Sequence, residues 1–207
     1  MVIASATART TAALLALIAW TGLILQVAGV FPRSASLIDA IWTMLRFFTI
    51  TTNLILAVVM TGIAFGRPAF GSPRLLGGVT IALAFVGGVN FILLNGRLAL
   101  SSSDPIADLF LHYVTPVAML AFLLLLRPRG SLRYRDAVLW SVYPLAYAAY
   151  ALARGAADGN YTYPFIDVAR IGAGRTGMNI TLLWLTFLLL GALLVWLDRR
   201  RSPLHHP

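Results

Sequence analysis

Long apolar stretches alternate with short polar segments along the whole chain. Each apolar stretch is about 20 residues long, which is the length that a helix needs to cross the hydrocarbon of a bilayer. The stretches occupy residues 11-31, 40-64, 77-96, 107-126, 136-154 and 178-197. Proline, glycine and serine mark the connections, as they do in turns. The pattern predicts an all-α polytopic membrane protein, with a single six-transmembrane-helix domain over residues 1-198.

The composition supports a membrane protein and excludes several other classes. Hydrophobic residues make up 59% of the chain and charged residues 11%, against roughly 45–50% and 25% in soluble domains. Cysteine is absent, which excludes a disulfide framework and thiolate chemistry. Every basic side chain other than histidine is an arginine, a usage that we interpret as that of a GC-rich bacterial genome. We therefore expect a multi-pass protein of the bacterial cytoplasmic membrane.

The distribution of arginines predicts how the helices are oriented, because short cytoplasmic loops are enriched in basic residues. With six spans, both ends of the chain and the second and fourth loops share one side. The arginines on that side are Arg9, Arg67, Arg74, Arg127, Arg129, Arg133, Arg135, Arg199, Arg200 and Arg201. Asp136 and Asp198 are its acids, whereas the other side carries as many acids as arginines. Both termini are therefore predicted to be cytoplasmic.

The formal net charge of +9 follows from this topology and from attraction to anionic lipid headgroups. It does not indicate nucleic-acid binding. The last residues, 199-207, form a basic tail that we expect to be disordered. Membrane lipids are the expected partners, and the Gly87-Gly88 pair permits close helix contact within a chain or in a homo-oligomer.

The second apolar stretch contains an unusual polar cluster, RFFTITTN at residues 46 to 53. On a continuous helix, Arg46, Thr49, Thr52 and Asn53 fall within an arc of about 100°. Polar side chains at membrane depth usually face the interior or a cavity. The threonines can instead bond back to carbonyls of their own helix, and Asn53 can join two helices. Both readings stay open from the sequence.

The fourth stretch holds the single histidine of the apolar segments, His112, with Asp108 one turn before it. A carboxylate four residues away can fix the imidazole tautomer and leave Nε2 as a base. The alternative is a histidine that only bonds a neighbouring helix. At a rise of 1.5 Å per residue, Thr49 and His112 lie about 15 Å and 8 Å below the outer edge. A hydroxyl and an imidazole in the outer half are the minimal parts of a nucleophile and base.

Other polar residues of the apolar segments are candidates for support or substrate binding. Asn90, Asn95 and Asn179 lie at similar or shallower depth and can donate to an oxyanion or join helices. The fifth stretch carries Tyr143 and Tyr147 on one helical face with Arg154, and Tyr163 follows in the longest loop. One histidine without cysteine provides no metal site and no paired haem ligands, so we expect neither metal nor cofactor.

Three short motifs, in this order, resemble a known family. They are Phe48-Thr49 with Asn53, the LFLHYVTP stretch with His112 and Pro116, and Tyr163-Pro164-Phe165 before the last helix. The chain is similar to the androgen-induced and androgen-dependent TFPI-regulating proteins, six-pass membrane hydrolases of fatty acid esters of hydroxy fatty acids. The resemblance covers nearly the whole chain.

The resemblance implies Thr49 as the nucleophile and His112 as the general base of a lipid ester hydrolase. Asp108, Asn53, Thr52, Asn90, Asn95 and Asn179 are then candidates for support. Arg46, Tyr143, Tyr147 and Tyr163 are candidates for substrate binding, with Arg46 pairing with a carboxylate headgroup. The alternative function is a membrane carrier or lipid-binding bundle, which uses the same polar interior as a pocket without chemistry.

Overall fold

The computed structural model describes residues 5–93, 105–126 and 130–200, and every regular element within these ranges is helical. The predicted all-α class is confirmed. The chain divides into two compact units, Met1–Ser131 and Leu132–Pro207, where the sequence predicted a single domain over residues 1-198.

The first unit contains the helices that correspond to the first four apolar stretches. Its elements are α1 Ala6–Val30, a 3-10 turn Phe31–Arg33, α2 Leu37–Met44, α3 Phe48–Ala64, a 3-10 turn Pro68–Gly71, α4 Pro73–Leu93, α5 Pro105–Leu109, a π-helical segment Phe110–Val114 and α6 Thr115–Leu126. The last three form one continuous rod, Pro105–Leu126.

Local capping interactions explain where several of these helices begin and end. The Ser5 and Ser36 hydroxyls accept hydrogen bonds from the amides of Ala8 and Asp39, both at 3.1 Å, and so cap α1 and α2. Helix α3 ends at Ala64, and Gly66, two residues later, has a φ of 72° that suits a residue without a Cβ. These caps fix the connections on either side of the site.

Small residues let α1 approach its neighbours closely. Ala8, Ala12 and Ala19 are almost fully buried in α1, where it packs against α3. A Cβ on Gly22 would lie 2.8 Å from the Leu111 side chain, so this glycine permits contact between α1 and the Pro105–Leu126 rod. Close backbone approach of this kind is how membrane helices gain van der Waals packing.

The second predicted helix, residues 40-64, is broken. Helices α2 and α3 meet at an angle of 103° across residues 45 to 47. Phe47 takes an extended conformation and starts α3 without a side-chain cap. Arg46 therefore lies in the connecting turn. We expected it to share a helical face with Thr49, Thr52 and Asn53, and it does not. The depth expected for Thr49 assumed a continuous helix, so it does not apply.

The second unit contains α7 Tyr134–Trp140, α8 Val142–Asp158, a 3-10 turn Pro164–Ile166, α9 Val168–Ile171 and α10 Ala173–Arg200. The buried Asp198 carboxylate accepts from the Leu132 amide at 2.9 Å, and Asp136 accepts from the Arg133 amide at 2.9 Å. Helix α10 includes Arg199 and Arg200, so the basic tail expected to be disordered from residue 199 begins inside a helix. Residues 201-207 lie outside the described ranges.

Within the described ranges, four helices are long and apolar enough to cross a membrane, or five when the bent pair α2 and α3 counts as one span. This is consistent with a multi-pass membrane protein. The predicted fifth span differs most from expectation, because Ser141 separates α7 from an α8 of 17 residues that carries three tyrosines. Six spans and two cytoplasmic termini remain predictions.

Candidate active site

Thr49 and His112 are in contact inside the first unit. The distance between Thr49 Oγ1 and His112 Nε2 is 3.1 Å, and the two residues are 8% and 9% exposed. Thr49 is the second residue of α3, so its hydroxyl lies at the positive end of the helix dipole, which stabilises developing negative charge. The structure thus pairs a buried hydroxyl with a buried nitrogen base.

His112 lies in the middle of the π-helical segment Phe110–Val114. The segment is wider than an α-helix, and the Thr115 amide at its end donates to the carbonyl of Phe110, five residues earlier. Such a turn changes the direction of the side chains that it carries, and single π-turns are frequent at functional sites. Sequence reasoning missed it, although Pro116 at the end of LFLHYVTP has no N–H for the His112 carbonyl four residues earlier.

Asp108 lies against the other ring nitrogen, as the spacing of four residues predicted. Its Oδ1 is 2.8 Å from His112 Nδ1. The ring N–H is not directed at this oxygen well enough to form a hydrogen bond, so the contact is a close electrostatic one. A carboxylate in this place favours a proton on Nδ1, which leaves Nε2 to accept from the Thr49 hydroxyl.

Asn53 joins the two parts of the pair. Its Nδ2 donates to the carbonyl of Thr49 at 2.9 Å and to the carbonyl of Leu111 at 3.1 Å. The Thr115 hydroxyl donates to Asn53 Oδ1 at 2.7 Å, and both side chains are fully buried. We call Asn53 and Thr115 the amide clamp. It fixes the backbone of the nucleophile against the residue that precedes the base.

Asn90 and Gly87 of α4 border the same site. The Asn90 side chain is 1% exposed, its Nδ2 donates to the Tyr113 hydroxyl over a long 3.4 Å, and its Oδ1 has no partner among the described residues. In either amide orientation one polar atom of Asn90 is left for a ligand or a water, because only one neighbouring group is in reach. Gly87 approaches the His112 carbonyl directly.

The remaining predicted residues of the α3 cluster have different environments. Thr52 is 1% exposed. The Thr51 hydroxyl donates back to the Phe48 carbonyl at 3.1 Å, as the structural interpretation of these threonines predicted. Arg46 is half-buried in the turn before α3. Among the threonines, Thr49 is the one whose hydroxyl the structure shows against His112 Nε2.

Several other candidates belong to the second unit or lie outside the described residues. Asn95 belongs to the segment 94–104 that the structure does not describe. Asn179 is in the second unit and donates to the Phe165 carbonyl at 2.9 Å, so it holds the loop before α10. Sequence reasoning did not single out Tyr113, Thr115 or Gly87 as site residues, although a polar Thr115 facing a polar Asn53 at membrane depth was an available signal.

The three tyrosines proposed for substrate binding are also in the second unit. Tyr147 packs against Tyr150 with ring centroids 6.1 Å apart, and Tyr163 stacks on Phe165 at 5.1 Å. Tyr143 lies in the first turn of α8. Their roles in binding remain predictions.

No group of three His, Cys, Asp or Glu side chains capable of holding a metal ion occurs in the described parts of the chain. Searches of family models, curated proteins and solved structures found no match to this chain. The function must therefore be inferred from the geometry of the site.

The amide clamp predicts a specific stability effect. Thr115→Val keeps the side-chain shape but removes the hydroxyl, so it leaves Asn53 Oδ1 buried without its donor. We expect the free energy of unfolding to fall by about 1–2 kcal/mol, measured by thermal unfolding in detergent. Thr80→Val is the matched control, because the Thr80 hydroxyl is equally buried but bonds only to the Leu76 carbonyl of its own helix. Equal losses in both variants would contradict the clamp.

Gly87 provides a second prediction, about the position of the base. A Cβ at residue 87 would lie 3.1 Å from the His112 carbonyl oxygen, so Gly87→Ala must shift the π-helical segment or α4. We expect the rate at which a fluorophosphonate labels the protein to fall several-fold. Gly88→Ala is the control, because no atom lies within 4 Å of the new Cβ. If both variants are labelled at the wild-type rate, the position of His112 does not depend on this contact.

Proposed function

We propose that the protein is an intramembrane lipid ester hydrolase that uses Thr49 as its nucleophile and His112 as its general base. The observation that carries the proposal is the 3.1 Å contact between Thr49 Oγ1 and His112 Nε2. A hydroxyl becomes an effective nucleophile when a base accepts its proton and a third group orients that base. Asp108, 2.8 Å from the other ring nitrogen, is this third group.

In the first step the Thr49 Oγ–H bond breaks and the proton passes to His112 Nε2. The oxygen forms a bond to the ester carbonyl carbon, and the carbonyl electron pair moves onto its oxygen as an oxyanion. The amino end of α3 stabilises this negative charge. Collapse of the intermediate breaks the bond between the carbonyl carbon and the alcohol oxygen. The alcohol leaves with the proton from Nε2, and the acyl group stays on Thr49 as an acyl-threonine.

In the second step a water molecule attacks the acyl-threonine. His112 Nε2 accepts a proton from the water, and the new bond from the water oxygen to the acyl carbon displaces Thr49. The proton then returns to the Thr49 oxygen, and a carboxylic acid is released. Asp108 keeps 22% of its side chain exposed, so this side of the site gives water access to the histidine.

A lipid ester is the substrate class that suits the surroundings of the pair. Thr49 and His112 belong to helices that the sequence and the structure both make apolar enough for a bilayer, so an ester carried by a lipid reaches them without leaving the hydrocarbon. The motifs that resemble the family described above favour fatty acid esters of hydroxy fatty acids. We place the protein in a bacterial cytoplasmic membrane, with six spans, cytoplasmic termini and the site in the outer half.

The proposal predicts a clear order of activities in a set of variants. Thr49→Val removes the hydroxyl and should reduce hydrolysis of a p-nitrophenyl ester to background, while Thr49→Ser should retain part of it. The rate of hydrolysis should fall about 10²–10⁴-fold in His112→Gln, which is the usual contribution of general acid–base catalysis. The rate should fall less in Asp108→Asn, because Asp108 acts through the histidine. The measurement is the steady-state rate of the purified protein in detergent or nanodiscs.

Thr51→Val is the matched control for these variants. It removes a hydroxyl from the same turn of α3, but that hydroxyl donates to the Phe48 carbonyl, so activity should stay at the wild-type level. Hydrolysis that survives Thr49→Val, or that falls equally in Thr51→Val, would contradict the assignment. A folded wild-type protein without any hydrolysis would instead favour the non-enzymatic carrier.

A further inference from the structure

An apolar groove lies in the first unit between α1, α2 and α3. The reaction proposed for Thr49 and His112 gives it no role. Its volume is about 510 Å³. Leu23, Val27 and Ala28 of α1 form one wall, Ile41 of α2 contributes at the bend, and Ile50 and Leu54 of α3 form the opposite wall. Because Ile41 and Ala28 are exposed at the rim, the groove opens towards the surroundings of the helices.

The chemistry of the lining selects hydrocarbon as the occupant. Among the lining side chains only Trp20 carries an N–H or O–H donor, and its indole N–H donates to the Thr61 hydroxyl at 3.1 Å; the Met44 thioether is a weak acceptor. A polar ligand would therefore exchange its hydrogen bonds with water for none, which is costly. An alkyl chain loses nothing there and gains close contact with the side chains.

The volume is compatible with one long chain. An apolar cavity of about 150 Å³ binds one benzene molecule. A groove of about 510 Å³ therefore has room for roughly three times as many carbon atoms, on the order of fifteen to twenty. This matches the size of a single fatty acyl chain and is too small for both chains of a diacyl lipid.

The groove passes the amino end of α3, next to the proposed nucleophile. Leu45 lines it within the break between α2 and α3, and Ile50 lines it in the first turn of α3. Ile50 directly follows Thr49, and consecutive side chains of a helix diverge by about 100°. The first turn of α3 thus presents Ile50 to the groove and the Thr49 hydroxyl to His112. A chain in the groove therefore passes the amino end of α3, one residue from Thr49.

We propose that this groove binds the fatty acyl chain of the ester substrate and thereby places the ester carbonyl at Thr49. The assignment rests on the proposed hydrolase function and adds to it a preference for long, single acyl chains. Helix α1 is a candidate membrane span, and α2 and α3 pass the same test together as a bent pair, so the chain passes from the bilayer into the groove through hydrocarbon alone.

The test is a change of chain-length preference. Ala28→Trp places a large side chain at a small, exposed position of the groove without disturbing the buried face of α1. We expect the ratio of kcat/KM for p-nitrophenyl palmitate to kcat/KM for p-nitrophenyl acetate to fall by about ten-fold or more. Ala13→Trp, at an exposed alanine of the same helix that does not line the groove, should change neither value.

Two further outcomes distinguish failure of the acyl-chain assignment from failure of the proposed hydrolase function. Equal effects of Ala28→Trp on palmitate and acetate, or no effect on either, would overturn the acyl-chain assignment while the hydrolase stands. If the wild type hydrolyses neither ester, the proposed function fails and the substrate assignment fails with it. A photoreactive palmitate crosslinked to α3 in the wild type and displaced in Ala28→Trp would then show a lipid site without chemistry.

Discussion

The organisation of the site depends on the hydrogen bonds of the buried Asn53 side chain. A polar group in an apolar interior must find all its partners within the protein, because hydrocarbon offers none. Asn53 meets this requirement with the carbonyls of Thr49 and Leu111 and the hydroxyl of Thr115. These partners belong to two different helices. Satisfying one amide therefore sets the register of α3 against the Pro105–Leu126 rod, and that register brings the Thr49 hydroxyl to the imidazole of His112.

Two irregularities in otherwise regular helices make this arrangement useful. The bend after α2 starts a new helix just before Thr49, so the hydroxyl lies at a helix amino end, where a straight span would have placed it in mid-helix. The π-helical turn directs His112 towards it and keeps Asp108 against the far ring nitrogen. Departures from ideal helices are expected where function opposes stability. Here both occur within a few residues of the proposed chemistry.

The sequence indicated which polar residues lie together better than it indicated the backbone geometry that brings them together. Thr49, His112, Asp108 and Asn53 were found because polar residues are rare and costly in apolar stretches, so each one is informative. The break at residues 45 to 47 was not found, because no proline or glycine marks it. The π-helical turn was also missed, since it depends on packing against neighbouring helices. The roles predicted for Tyr143, Tyr147 and Tyr163 in binding remain predictions, because tyrosine serves equally well in packing.

The central claim is that Thr49 is a nucleophile activated by His112. The most direct measurement is to treat the purified, folded protein with a fluorophosphonate and locate the adduct by peptide mass spectrometry. We predict a single adduct on the Thr49 hydroxyl, absent in His112→Gln. An adduct on Thr52 or on another residue, or a folded wild-type protein that carries no adduct, would contradict the claim.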